Sequence, residues 1–217
     1  MKTHILSFLM LILMSSAATA QDRKFGVQAG VNFQNLNGKN VNGDKLENGL
    51  MFGYHAGVNM LIPISPEIYF QPGLLFSVKG ATYDLIGIPH NVKVKLNYLE
   101  LPLNLLYRGQ LGENFVLLGF GPYVGYALSG KIISGSTKES ITFRNSLDAN
   151  TPGGVTYMRA FDAGANIFAG YELSNGVYAT LDAGLGLLNI NPSDSRISND
   201  KSILKNTGFG LSLGYRF

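Results

Sequence analysis

Eight stretches of this sequence alternate large apolar residues with small or polar ones, and that pattern constrains the fold more than any other feature. A strand turns successive side chains to opposite faces, so sustained alternation predicts strands with two chemically different faces. The stretches are 24–33, 51–62, 67–79, 93–107, 115–129, 159–172, 177–188 and 204–217. In the first, Phe25, Val27, Ala29, Val31 and Phe33 fall on one face, with Gly26, Gln28, Gly30 and Asn32 on the other. In the last, Phe209, Leu211, Leu213, Tyr215 and Phe217 oppose Gly208, Gly210, Ser212, Gly214 and Arg216.

The connections alternate too. Residues 63–67, 109–114 and 173–176 are short and rich in Pro, Gly and Asn, as tight turns require. Residues 34–50, 80–92, 130–158 and 189–203 are longer and mostly polar. An even number of strands with short turns on one rim and long loops on the other predicts an up-and-down antiparallel barrel. One segment departs from simple alternation. Lys93, Lys95 and Asn97 share the polar parity early in 93–107, whereas Glu100 and Asn104 carry it later. One extra residue near Tyr98–Leu99, a β-bulge, accounts for the change.

The sign of the faces decides the solvent. A soluble eight-stranded barrel fills its interior with bulky apolar groups, but here the narrow or polar face holds Gly, Asn, Asp, Glu, Lys and Arg. Glycines on that face make room for Tyr123, Phe168, Tyr178 and Arg216 in an interior just wide enough for side chains. The apolar face must then meet lipid, which accepts strands only in a closed sheet. Charged residues are 14% of the chain, against about 25% in ordinary soluble domains. The predicted fold is therefore all-β: an eight-stranded antiparallel up-and-down transmembrane β-barrel, with outer-membrane lipid as its surround. Phe25, Tyr107, Phe115, Tyr171, Tyr215 and Phe217 fall at the short-turn rim. Phe33, Phe52, Tyr54, Phe76, Tyr126 and Phe161 approach the long-loop rim, so that both interfaces carry aromatic girdles.

The start of the chain bears on its export. Lys2, the apolar run "ILSFLMLILM" and the small-residue end "SSAATA" predict a secretory signal over residues 1–20, leaving 21–217 as the barrel domain. With no Cys in the sequence, disulfides, thiolate metal sites and a lipoprotein anchor are excluded. The net charge of +3 is dispersed, with no basic run, so nucleic acid is not an expected partner.

The stretches "KFGVQAGVNFQNL", "YLELPLNLLYR" and "GLSLGYRF" resemble the PorT-like outer-membrane β-barrel family of Bacteroidetes. The resemblance implies an eight-stranded barrel in the outer membrane of a Gram-negative, Bacteroidetes-like bacterium. Named members of that family take part in processes such as protein secretion. It also implies a terminal aromatic read by the barrel-assembly machinery. Phe217 matches that position and Tyr215 shares its outward parity, so the two are the expected assembly signal.

Chemistry is sparse. His55 shares the polar face of the second segment and is expected as a hydrogen-bonded interior residue, while His90 falls in the second long loop. Metalloprotease, phosphate-loop and calcium-loop patterns are absent, and no catalytic set, metal site or cofactor is expected. Lys79, Lys93, Lys95, Glu100, Arg108, Asp162, Glu172, Asp182 and Arg216 are expected to face the lumen as a mixed-charge network. Unpaired ions in so narrow an interior are costly, so these charges should pair. Function is then expected in the loops of a non-enzymatic envelope or secretion-associated scaffold. The longest loop, 130–158, carries Ile132, Ile133, Ile141 and Phe143, which suit a hairpin above the membrane and contact with an envelope protein. A small-solute porin-like channel and a lipid-modifying enzyme are the alternatives.

Overall fold

The computed structural model describes residues 24–83 and 92–217. The expected signal segment, 1–20, and His90 lie outside the described residues. Every regular element among the described residues is a strand. Eight long ones form the barrel wall: β1 (Lys24–Lys39), β2 (Met51–Ser65), β3 (Ile68–Tyr83), β4 (Val92–Leu111), β5 (Asn114–Ser134), β10 (Phe161–Glu172), β11 (Val177–Gly186) and β13 (Ile203–Arg216). Five short ones lie in the long connections: β6 (Thr137–Ser140), β7 (Thr142–Phe143), β8 (Ser146–Leu147), β9 (Tyr157–Met158) and β12 (Ser193–Asp194). Wall neighbours pair antiparallel in chain order, and β13 returns to pair with β1. Gly26 thus faces Arg216 on one side and Asn59 on the other, and no edge is left in the wall. Closure is what hydrocarbon demands of a sheet.

Three tight turns make the short rim. Leu111 pairs with Asn114 across a two-residue turn in which Gly112 takes a φ of 63°. That left-handed conformation suits a residue without a Cβ. Ser65 and Ile68 flank Pro66–Glu67, and Glu67 adopts φ 66°. The third turn, between β10 and β11, is closed by the Gly176 amide donating to the Leu173 carbonyl at 2.9 Å.

Above the membrane the wall continues, and its faces change sign. β4 has 20 residues and β5 has 21, about twice the ~9–11 that a tilted strand needs to cross a bilayer. In the lower half the charged and polar residues point inward, together with one apolar cluster around Leu106 and Leu117, and the outer face is Leu, Ile, Val, Phe and Tyr, where Leu181, Ile167 and Leu213 are each more than 60% exposed. Toward the long-loop rim the alternation persists with its polarity reversed. Leu36, Ala81, Val94, Leu96 and Leu204 are buried together inside the ring. Asn35, Asn37, Lys93, Lys95 and Lys205, next to them in sequence, take the outer parity. Water replaces lipid at this level, and apolar side chains leave the outer surface for the only dry place remaining.

This reversal corrects two expected lumen residues. Lys93 and Lys95 lie outside the barrel, because β4 keeps one parity throughout: Val94, Leu96, Tyr98 and Glu100 all point inward. Polar-in holds only where lipid is the outer solvent, and these lysines stand above it. The bulge is also relocated. Asn97 pairs with Ser129 and Tyr98 with Ala127, so the unpaired extra residue is Leu128 on β5. It places Ser129 outward and brings Gly130 and Ile132 toward the interior. Val78, between Ser77 and Lys79, is buried as they are; the β2–β3 ladder has its last pair toward the long-loop rim at His55–Ser77, and the Val78 carbonyl accepts from the Asn32 side-chain amide at 3.1 Å. Phe115, expected in the outer girdle, shares the inward parity of Leu117 and lies under Arg108.

Candidate functional site

The lumen is built in three layers. At the short-turn end, Leu61, Leu106, Leu117 and Tyr178 pack together, with Tyr69 and Phe168 against them. Beside this cluster Glu172 is clamped by two guanidinium groups. Arg108 donates from Nη2 to Oε1 at 2.8 Å and Arg216 from Nε to Oε2 at 2.9 Å. Arg108 stacks on Phe115, with its Cζ 3.2 Å from the ring centre, and Arg216 lies over Tyr178 at 4.8 Å. Arg216 also donates from Nη1 to Asn59 Oδ1 at 3.2 Å. Strands β4, β10, β13 and β2 are cross-linked at one level.

The middle layer is polar and contains a cavity of about 140 Å³, lined in part by Gln28, Asn32, Asn59, Asn104, Asp182 and Asn206. A polar cavity of this size suits a few ordered waters. Gly30 opens a path across it. His55 and Ser212 flank Gly30 in the register, and His55 Nε2 lies 2.7 Å from Ser212 Oγ. A Cβ on Gly30 would sit 2.7 Å from the imidazole, so only glycine lets the ring reach across β1. A nucleophile–base pair needs a third group to orient the base. Among the described residues His55 forms no hydrogen bond to a carboxylate, and Asp182 lines the cavity without an ion pair.

The second ionic group closes the layer from above. Lys79 pairs with Glu100 and lies 3.7 Å from Asp162. Asp162 Oδ2 accepts from Tyr123 Oη at 3.1 Å and from Asn206 Nδ2 at 2.9 Å. The Lys79 ammonium sits 4.3 Å from the centre of the Tyr123 ring. Of the expected network, Lys79, Glu100, Arg108, Asp162, Glu172 and Arg216 therefore meet as two separate clusters, one at each end of the cavity. Among the described residues no group of three or more His, Asp or Glu is placed to hold a metal.

The third layer belongs to the loops. Ile141, Met158 and Ile190 are buried with Leu36, Val94, Leu96, Tyr98 and Leu204, and Leu46, Ile132 and Phe143 pack against them. Three long connections thus contribute to one core over the mouth of the barrel. Backbone pairing fixes them there: Arg159 N donates to Ile190 O at 2.7 Å and Ile190 N to Leu204 O at 2.8 Å. The parallel pair β7–β9 closes the longest loop on itself, and the parallel pair β8–β12 ties it to the connection before β13. The hairpin expected in 130–158 is present as β5–β6, turning on Gly135. The apolar residues Ile132, Ile141 and Phe143 serve the barrel's own cap. Their periodicity is broken by the loop path, and no local sequence signal announces the burial of Ile190 or Met158.

Two carboxylates hold the cap's outer edge. The Thr151 hydroxyl donates to Asp148 at 2.8 Å and, with the backbone amide of Asn150, holds that carboxyl below its ordinary value. The Arg196 guanidinium does the same for Asp194, through contacts of 2.8 and 2.7 Å. A carboxyl whose folded pKa is depressed adds order above its unfolded value, near 3.8, and loses that contribution as pH falls through the folded value. Acidification through this range is expected to raise amide exchange in 146–151 and 193–196 while the wall strands stay protected. Unchanged protection there, after correction for intrinsic rates, would count against the coupling.

The model of a family described as outer membrane protein β-barrel domain matches residues 19–191. Among solved structures, the chain is similar to the outer membrane protein OprG from Pseudomonas aeruginosa, with 10% identity and a TM-score of 0.49 over 89% of this chain and 95% of that one. It is similar to Ail, the attachment invasion locus protein of Yersinia pestis, with 13% identity and a TM-score of 0.39 over 89% and 98%. The N-terminal β-barrel domain of Pseudomonas aeruginosa OprF follows at 12% and 0.38, over 89% and 97%. No curated protein sequence matches the chain.

Proposed function

Since the chain belongs to the outer membrane protein β-barrel domain family, we propose that it serves the Gram-negative envelope as a non-enzymatic, non-conducting scaffold that presents a folded extracellular cap to a partner protein. The observation that carries this reading is the shared core of Ile141, Met158 and Ile190 with the wall strands. Loops that bury apolar residues in common hold a fixed outer surface, which suits recognition, and they cover the mouth that a solute would use. The clamp of Arg108, Glu172 and Arg216 stands across the other end. Export after cleavage at Ala20, assembly through Tyr215 and Phe217, and the PorT-like relationship belong to the same reading.

Replacing residues 141–158 by a short Gly-Ser linker tests it. The membrane half of the wall rests on its own clusters, so the variant is expected to insert and to keep the mobility difference between boiled and unboiled samples. Removing Ile141 and Met158 from the cap core should expose Leu36, Leu96 and Ile190, and crosslinked partners recovered with the native protein from outer membranes should be lost. Steady single-channel conductance by the native protein in planar bilayers would overturn the reading in favour of a channel.

A further inference from the structure

One wall of the barrel carries four lysines just above the aromatic girdle. Leu99 on β4 pairs with Tyr126 on β5 in the girdle row. The rows above it hold first Asn97 and Ser129, then Lys95 and Lys131, then Lys93 and Ile133. On β6, Ser140 continues the Lys95–Lys131 row and Lys138 the Lys93–Ile133 row. All these residues take the outer parity, because Val94, Leu96 and Ile132 between them pack into the cap core. Glu139, the carboxylate of this hairpin, pairs with Ile132 and so belongs to the other face. Among the described residues no carboxylate lies within ion-pair distance of the four ammonium groups.

Directly opposed residues on antiparallel strands sit roughly 5 Å apart at Cβ, and like charges there repel. Soluble surfaces relieve such repulsion by mixing signs. Here Lys95 faces Lys131, and no carboxylate among the described residues pairs with either, so the arrangement suits an external anion. Its height identifies the source. Tyr126, Leu99 and Phe76 mark the hydrocarbon boundary directly beneath, where the phosphates of lipid headgroups lie. Lys95 leans toward that boundary: its Nζ is 5.6 Å from the centre of the Tyr54 ring, so the side chain crosses β3 at the level of Gly80. Asn97, which donates to Ser129 Oγ at 2.8 Å, adds neutral hydrogen-bonding groups between girdle and lysines. At the same height the outward residues are Asn35 and Asn37 on β1 and Thr207 and Lys205 on β13, so four lysines gather on the β4–β6 side against the single Lys205 across the barrel, which is not an even ring of snorkelling lysines.

We propose that the outer faces of β4, β5 and β6 form a binding site for the phosphate groups of an anionic outer-leaflet lipid, with Lys95 and Lys131 as its centre and Lys93 and Lys138 as its upper edge. The full chain in zwitterionic nanodiscs doped with bisphosphorylated lipid A should retain that lipid in native mass spectrometry. Retention should fall at least about tenfold when all four lysines are changed to glutamine, the loss expected of several charges near an anionic surface. Dephosphorylated lipid A should be retained no better by the native protein than by this variant. Changing Lys39, Lys201 and Lys205 to glutamine instead should leave retention unchanged. If the quadruple variant lacks the folded gel mobility, Lys95→Gln with Lys131→Gln replaces it, and changing all four to arginine should preserve binding. Equal retention by native and glutamine variants overturns the site. So does equal retention of the dephosphorylated lipid, an equal loss in the control variant, or capture of a soluble acidic polysaccharide in preference to the lipid.

Discussion

Replacing Glu172 with alanine is expected to destabilise the barrel by about 3–5 kcal/mol, the cost of removing one partner from a buried ionic cluster. The carboxylate side chain is 2% exposed and answers two guanidinium groups, those of Arg108 and Arg216, whose side chains are 8% and 1% exposed. Without it both positive charges remain in the lumen, and their other side-chain contacts among the described residues are Asn59 Oδ1 and two aromatic faces. Gln in place of Glu keeps an acceptor and nearly the same shape, so its effect should be smaller, although the charge is still lost. Urea unfolding from vesicles, followed by gel mobility, reads both variants against the native chain. A change below about 1 kcal/mol for the alanine variant would mean that water already solvates the cluster.

Leu181→Arg should cost about 2–4 kcal/mol in the same assay, because the position lies near the middle of the lipid-facing band. Leu181 is 65% exposed and pairs with Leu211 on one side and Ala169 on the other, both on the outer face. An exposed leucine in water would tolerate the same change within roughly 0.5 kcal/mol. The companion substitution, Asn37→Arg, places the same charge outward above the girdle and should be nearly neutral. Equal effects at the two positions would show that both meet the same solvent, and the assignment of the faces would fail.

The eight strands were legible because lipid and a narrow lumen impose opposite demands on neighbouring residues, and the β1 and β13 stretches state those demands cleanly. Arg108, Glu172 and Arg216 were legible as inward charges for the same reason. Their meeting was not, since it depends on how strands 64 and 44 residues apart are brought round the ring to one level. Lys93 and Lys95 were misplaced because alternation reports two faces without saying which is inside, and the answer depends on height in the membrane. The extra residue behind the disturbed parity sits on β5 at Leu128, across the ladder from Tyr98; a single strand's pattern does not say which partner carries a bulge. The cap was hidden for another reason. Ile141, Met158 and Ile190 come from irregular segments with no period to betray them.

The reversal of polarity along the wall also fixes how deep the molecule rides. A rise of two residues along a strand, roughly 5 Å along the membrane normal at the usual tilt, would lift Phe33, Phe52 and Phe209 out of hydrocarbon. A fall of the same size would draw Lys95, Lys131 and Lys205 toward it. Each displacement is opposed by a different penalty, hydration of apolar surface in one direction and dehydration of charge in the other. Vertical position is therefore a property of the chain itself, and a bilayer of unsuitable thickness must deform around the barrel because the barrel has little freedom to slide.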